Sequence, residues 1–281
     1  MTTYRSSLAD TRFVSANGAR YAYRDIGPAA GIPLLLINRF RGTMDDWDPE
    51  LLDLLSNARR LIIFDNIGMA RSSGTTPTGL NGFAEGSLRF AQALNLDIFD
   101  ILGFSIGGLF AQKLALDHPN LVRRMILAAS TPGYAAGISA DPRSLQVATK
   151  PVNGSADFLY LFFTPSVKST TAGREYLARL ALREDAHEKL VEPQSWQGQR
   201  AAAGDVSTAQ TSMLNVLHKL TMPVLVANGS HDIMVPTALS FEIFKALPDA
   251  KLILYPDSGH GFLFQYPRQF ANDALAFLEE A

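Results

Sequence analysis

The sequence predicts an α/β protein with a mostly parallel central sheet, flanking helices and a helical segment inserted late in the chain. Three observations carry that expectation. Short β-type runs alternate with longer helical patterns, the signature of βαβ units. Those runs are apolar almost throughout, as strands covered by helices on both faces must be. The alternation also stops once, between a run ending near Ala129 and one starting near Pro223. About ninety residues there hold no convincing buried strand, too many for a structureless loop.

The elements follow in order. Arg12 to Ala16 and Ala19 to Asp25 flank Asn17-Gly18, a dipeptide that tolerates the positive φ values of a type I′ hairpin turn. Buried strands are expected at Leu34 to Ile37, Leu61 to Asp65, Ile98 to Leu102, Met125 to Ala129, Val224 to Asn228 and Lys251 to Tyr255. Helical patterns fill intervals at Gly82 to Leu94, Ile106 to Asp117 and Pro236 to Leu247, and a last helix is expected from Pro267 to Glu280. The interrupted stretch holds Phe158, Tyr160, Phe162, Phe163, Tyr176 and Trp196 among helical segments and Pro/Gly breaks. A small helical subdomain fits it best.

Composition narrows the function. In 281 residues, 47% are apolar, enough for a large core and incompatible with intrinsic disorder. Against 27 acidic residues stand 25 basic ones, for a net charge of −2, and no block of like charges appears. The chain therefore lacks the electrostatic footprint of a nucleic-acid binder. It has no cysteine, which excludes disulfide scaffolds, thiolate metal sites and cysteine nucleophiles. The amino terminus lacks the basic-then-apolar pattern of a signal peptide. Apolar stretches such as Pro33 to Ile37 and Leu61 to Phe64 are far too short to span a bilayer. A cytoplasmic protein acting on a small molecule, without a membrane or nucleic-acid partner, is expected. Oligomeric state is not legible.

Gly103-Phe104-Ser105-Ile106-Gly107 runs from an expected strand straight into an expected helix. A serine on so tight a turn takes a strained backbone, and only small residues fit two positions before and after it. The turn lifts the side chain above the sheet at a helix amino terminus, where amides and dipole favour developing negative charge. The alternative is a glycine-rich turn with an incidental serine. Chance yields about 0.1 such patterns in a chain of ordinary glycine content, and the strand-to-helix context weighs further against it.

A serine needs a base, and the base an orienting acid. Among five histidines, His118 ends a helix, His187 and His218 sit in polar helical contexts, and His231 lies in a loop. His260, between Gly259 and Gly261 after the last strand, is placed to swing over the sheet edge. For the acid, Asp232 follows the preceding strand at the same edge. Ser130-Thr131-Pro132 offers no carboxylate after the strand ending at Ala129, and Asp257 reads as a turn residue. The order is Ser105, Asp232, His260.

On these residues the chain resembles the α/β-hydrolase fold superfamily. Gly103 to Gly107 looks like its nucleophile elbow, and the Ser…Asp…His order matches. Asp65-Asn66-Ile67-Gly68-Met69-Ala70-Arg71-Ser72 is similar to the loop after the family's fourth strand, commonly Asp-x-x-Gly-x-Gly-x-Ser. The resemblance covers nearly the whole chain. It implies a core of residues 1–131 and 223–281, a helical cap at 132–222, and no metal or organic cofactor. It also implies that the backbone N–H groups of Phe40 and Ile106 form an oxyanion hole. Here the sequence departs from the family, whose loop after the third strand commonly begins His-Gly. This chain has Asn38-Arg39-Phe40-Arg41-Gly42, with Arg39 where a flexible glycine is usual.

Arg39 and Arg41 have two readings: recognition of an anionic substrate group, or pairing with Asp45, Asp46 or Asp48, which is the favoured of the two. Phe158, Phe162, Phe163 and Trp196, with Phe40 and Phe104 near the serine, suit an apolar acyl pocket, although such a stripe can equally be packing. Arg39, Phe104, Phe158, Phe162 and Trp196 are the candidate substrate contacts. Esters and lactones lead as substrates. Cleavage of a carbon–carbon bond beside a ketone and perhydrolase (non-haem haloperoxidase) activity follow. From other classes come a small-molecule sensor with little turnover and an inert scaffold. An aspartate at the elbow would have implied a dehalogenase or epoxide hydrolase.

Overall fold

In the computed structural model, which describes residues 3–186 and 191–280, the amino-terminal hairpin forms from β1 (Arg12–Ala16) and β2 (Ala19–Ile26). Asn17 and Gly18 both take positive φ, 47° and 78°, as a type I′ turn requires. The other strands are β3 (Leu34–Ile37), β4 (Leu61–Phe64), β5 (Phe99–Phe104), β6 (Val122–Ala128), β7 (Val224–Gly229) and β8 (Ala250–Tyr255). They join in one sheet of order β1-β2-β4-β3-β5-β6-β7-β8. The pairings of β2 with β1 and β4 are antiparallel. The remaining five are parallel.

Alternation along the strands divides the core into two layers. Leu35, Ile37 and Ile62 face α2 (Leu80–Ala93) and α3 (Ile106–Asp117), where the Phe83 and Phe110 rings stack at 4.6 Å. Leu34, Leu36 and Ile63 face α1 (Pro49–Ser56) and the carboxyl-terminal helices α9 (Phe262–Gln265) and α10 (Pro267–Glu279). The helix α8 (Thr237–Ala246) links β7 to β8. β6 begins three residues before the expected start, because its polar residues find partners. Arg123 forks onto Asp100 of β5 and Arg124 lies over the Phe277 ring. β8 is an edge strand and only half-buried along most of its length, unlike the covered inner strands.

Between β6 and β7 the described residues form α4 (Pro142–Ala148), α5 (Ser155–Phe162), α6 (Val167–Leu180) and α7 (Pro193–Gly204). Buried ion pairs tie this segment to the rest. Asp48 caps α1 by accepting from the Glu50 N–H at 3.0 Å and takes a bidentate fork from Arg179 at 2.7 and 2.6 Å. Asp45 collects Arg24 of β2, Arg71 of the loop after β4, and Arg183. The Tyr176 hydroxyl donates to the Asp46 carbonyl at 2.8 Å. Removing one member of such a buried set costs about 3–5 kcal/mol, because the other charge is left unpaired. No helix among the described residues is long and apolar enough to cross a membrane.

Two packing constraints shape the loops above the sheet. At the β5–α3 turn, Ser105 sits at φ 58°, ψ −125°. A Cβ on Gly103 would lie 2.4 Å from the Gly108 Cα, and one on Gly107 would lie 2.3 Å from the Ile37 carbonyl oxygen. At the end of β4, Asp65 accepts from the Met44 N–H at 2.8 Å and the Arg71 N–H at 3.1 Å, joining two loops. Ser72 closes the same loop onto the Asp65 carbonyl, while Ala70, where the family pattern has glycine, takes φ 47°. Burial pushes the Asp65 carboxyl up to about 6 although both N–H bonds pull it down.

Gly107→Ala is therefore expected to cost about 3 kcal/mol or more in urea unfolding, with Gly204→Ala as the control. A Cβ at Gly204 meets nothing within 4 Å. Equal effects of the two changes would refute the close-approach account. Because Asp65 binds its proton more tightly when folded, its contribution to stability is full below about pH 4 and declines as pH rises through about 6. The stability of the wild type relative to Asp65→Asn should shrink over that range; a growing difference would contradict this burial effect.

Candidate active site

The loops after β3, β5, β7 and β8, together with the helices described between β6 and β7, enclose a cavity of about 370 Å³. Ser105 and His260 both line it. They reach it because all four strands point their carboxyl ends the same way, where α/β sheets place their ligands.

His260 is 1% exposed. Its Nδ1 lies 2.7 Å from Asp232 Oδ2. The other carboxylate oxygen accepts the N–H groups of Met234 and Val235 at 2.8 and 2.9 Å, so Asp232 is held in place by its own turn. A carboxylate only accepts, which puts the proton on Nδ1 and leaves the Nε2 lone pair available. That Nε2 is buried and has no hydrogen-bond partner among the described residues. The imidazole is wedged between the rings of Phe104 and Phe162, at 5.1 and 5.3 Å. The flanking glycines serve close approach to α5. The Gly261 N–H donates to the Phe162 carbonyl at 2.7 Å, and a Cβ on Gly259 would come within 2.9 Å of that same oxygen.

Ser105 is buried, and its N–H donates to the Ala128 carbonyl at 2.9 Å, which anchors the turn to β6. Phe40 lines the cavity beside it and Ile106 opens α3. No hydrogen bond from the backbone N–H of either residue is found among the described residues. Both are thus donors without a protein acceptor next to a serine and an imidazole. Such a group can take a proton from a hydroxyl and stabilise a developing oxyanion.

The arginines of the departing loop are already committed. Arg39 is buried, pairs with Asp46 at 2.7 Å and lies over Phe158 and Phe162, its Cζ 5.3 and 5.1 Å from their ring centroids. Among the described residues Arg41 meets no carboxylate. It donates to the carbonyls of Ala148, Lys150 and Pro151, at the carboxyl end of α4, and lies over Trp196 at 5.3 Å. Pairing thus describes Arg39; Arg41 instead satisfies the open carbonyls of a helix end.

Phe158 and Phe162 reach the cavity wall. Phe104 and Trp196 stand one layer behind it: Phe104 packs on His260, Trp47, Phe162 and Phe264, and Trp196 meets Phe40 edge-on at 6.0 Å. Their positions are those of supports and not of contacts. Of the other histidines, His118 caps α3, His218 is exposed in a short 3₁₀ turn, and His231 pairs with the Ser230 hydroxyl in the open. His187 lies outside the described residues. Asp257 takes φ 46° in a turn, where the hydroxyls of Ser166 and then Thr164 hold its carboxyl below the usual range.

Sequence reasoning missed Met234, Asn153, Val191 and Glu192 on the wall, and Gln199 behind it. Met234 had a signal, being two residues beyond Asp232 in the same turn. The others belong to the helical segment, whose orientation no local pattern encodes.

Comparison with known proteins agrees with this architecture. A family model described as alpha/beta hydrolase fold matches residues 32–267. An alpha/beta hydrolase fold protein from Chitinophaga pinensis superposes with a TM-score of 0.91 at 36% identity, over 98% of this chain and 99% of that one. A protein of Agrobacterium fabrum (strain C58), provisionally named carbamate hydrolase RutD, is 28% identical over 250 residues, covering 87% of this chain and 92% of its own. A non-heme chloroperoxidase of Streptomyces lividans is 25% identical over 277 residues, covering 94% and 98%. Since the family model spans most of the sequence and the sheet order and parallel pairings accord with it, the chain belongs to the α/β hydrolase fold family.

Proposed function

We propose that this protein is a serine hydrolase working through an acyl-enzyme, with a carboxylic ester or lactone of apolar acyl part as substrate. One observation carries the reading. A buried imidazole has its Nδ1 held by Asp232 at 2.7 Å and its Nε2 unpartnered, on the wall of the cavity that Ser105 also lines.

The cycle follows from those atoms. Ser105 Oγ attacks the substrate carbonyl carbon as its proton passes to His260 Nε2, and Asp232 stabilises the imidazolium that forms. The carbonyl oxygen becomes an oxyanion that accepts from the Phe40 and Ile106 N–H groups. Collapse breaks the bond to the leaving oxygen, which takes the proton from His260. A water then gives a proton to Nε2 and attacks the acyl carbon, and the acid leaves as Ser105 recovers its hydrogen. Phe40, Leu161, Phe162 and Met234 supply an apolar wall for the acyl part. Arg39 has its charge answered by Asp46, and Arg41 has its donors directed at carbonyls, so neither favours an anionic substrate. The chloroperoxidase relative supports one second reading, in which hydrogen peroxide replaces water in the last step and a peracid leaves.

Treatment with a fluorophosphonate followed by intact mass should give one adduct on Ser105, none in Ser105→Ala and a slow one in His260→Ala. Turnover of 4-nitrophenyl butyrate should fall about 10⁶-fold in either variant and about 10⁴-fold in Asp232→Ala. An unlabelled wild type would end the hydrolase reading. Labelling without turnover would point to a sensor, and peracid formation with added peroxide to the perhydrolase. Arg39→Ala should lower kcat/KM for 4-nitrophenyl butyrate and for mono-4-nitrophenyl succinate by the same factor. A loss confined to the charged ester would instead assign Arg39 to anion recognition.

A further inference from the structure

We infer that Gln199, on α7 of the helical segment, is a positioning residue that sets the oxyanion donor of Phe40; the inference rests on the acyl-transfer reading above. Residues 39–42 form a tight turn closed by the Gly42 N–H donating to the Arg39 carbonyl at 3.0 Å. Its third residue, Arg41, takes φ 57°, whereas Phe40 does not take positive φ. That is the pattern of a type II turn, whose third position favours glycine or asparagine. An arginine there stores strain of about 1–2 kcal/mol and persists only if its surroundings hold it.

The peptide between Phe40 and Arg41 is held at both ends. Its N–H donates to Gln199 Oε1 at 2.8 Å, and its carbonyl accepts from the Arg39 guanidinium at 2.9 Å. Gln199 is fully buried, so water does not substitute for it. Flipping this peptide is what converts a type II turn into a type I turn. The flip would bury an unsatisfied carbonyl against the Gln199 oxygen and release the Arg39 bond. The neighbouring Arg39–Phe40 peptide is then fixed as well, because its carbonyl is engaged by Gly42. In a planar trans peptide the N–H points opposite to the carbonyl, and the Arg39–Gly42 bond is common to both turn types. The Phe40 N–H is therefore aimed by where the turn is anchored, through Gln199 and the Arg39 guanidinium, and not by any bond of its own.

Gly42 completes the device. A Cβ there would lie 2.8 Å from the Arg39 Cγ, so only glycine lets the Arg39 side chain fold back across the turn. Where the family pattern has a flexible glycine, this chain has a strained turn held from the helical segment. Gln199 thereby couples the placement of that segment to the oxyanion site, although it touches no reacting atom.

The test compares Gln199→Met, which keeps the volume and removes the acceptor, with wild type on 4-nitrophenyl butyrate. A misplaced donor costs about 10–100-fold in kcat, with KM expected to stay within about threefold. A trifluoromethyl ketone matching the butyryl group forms a tetrahedral adduct and should lose affinity by the same factor as kcat/KM. The corresponding ether, which has no carbonyl, should bind unchanged. Should Gln199→Met fail to fold, Gln199→Asn draws the acceptor back by one methylene and is read by the same ratio. Unchanged kcat in the Gln199 variants, or ketone and ether affinities that fall together, would overturn the inference with the hydrolase reading intact. A wild type without the Ser105 adduct would overturn both.

Discussion

The amino end of α3 presses against the end of β3, and the chemistry at the top of the sheet follows from that contact. Gly107 has the carbonyl of Ile37 where a side chain would begin. Because the helix comes so close, the chain must leave β5 through a single residue of unfavourable backbone, and that residue is Ser105, at φ 58°. The same contact brings the first helical N–H, that of Ile106, beside the loop that leaves β3 and carries Phe40. The serine and both candidate donors therefore share one cause. A bulkier residue at Gly103 or Gly107 would push the helix away and separate all three.

The segment from Asn38 to Asp48 is where core and helical insertion meet. Asp45, Asp46 and Asp48 face arginines from four parts of the chain: β2, the loop after β3, the loop after β4, and the region of α6 and beyond. Buried ion pairs are weak evidence for net stability, since desolvation offsets much of their attraction. Their strength lies in geometry, because a wrongly placed helix would strand a charge away from water. Here they orient the helical segment over the sheet, and the cavity wall inherits that orientation through Ala148, Phe158 and Leu161. Asp65 joins the same region from below, with a carboxyl whose burial opposes its own ionisation.

Local motifs were legible and long-range ones were not. Ser105 was readable because strand, turn, helix and small neighbours are adjacent in the chain. Asp232 and His260 were readable because each follows a recognisable strand, and parallel strands carry their following loops to one edge. For Arg41 the favoured pairing with Asp45, Asp46 or Asp48 gives way to carbonyls at the end of α4, since nothing in Arg39-Phe40-Arg41 announces that this helix will end over it. Type and proximity alone make Phe104 and Trp196 candidate substrate contacts. They lie one layer back, a distinction set by ring packing and not by sequence position. The turning point at Gly259 and Gly261 was visible, but its purpose was not: α5 lies against that loop.

The amino-acid order by itself determined the alternating strands and helices, the hairpin, the strained serine turn and the sequence of the three polar side chains, because hydrophobic period and turn chemistry act between near neighbours. Only the tertiary structure decided which tautomer His260 presents, which arginine meets which carboxylate, and how the insertion grips the Phe40 turn through Gln199. Those are contacts between residues up to some 160 positions apart, and their partners are selected by burial and shape once the sheet has closed.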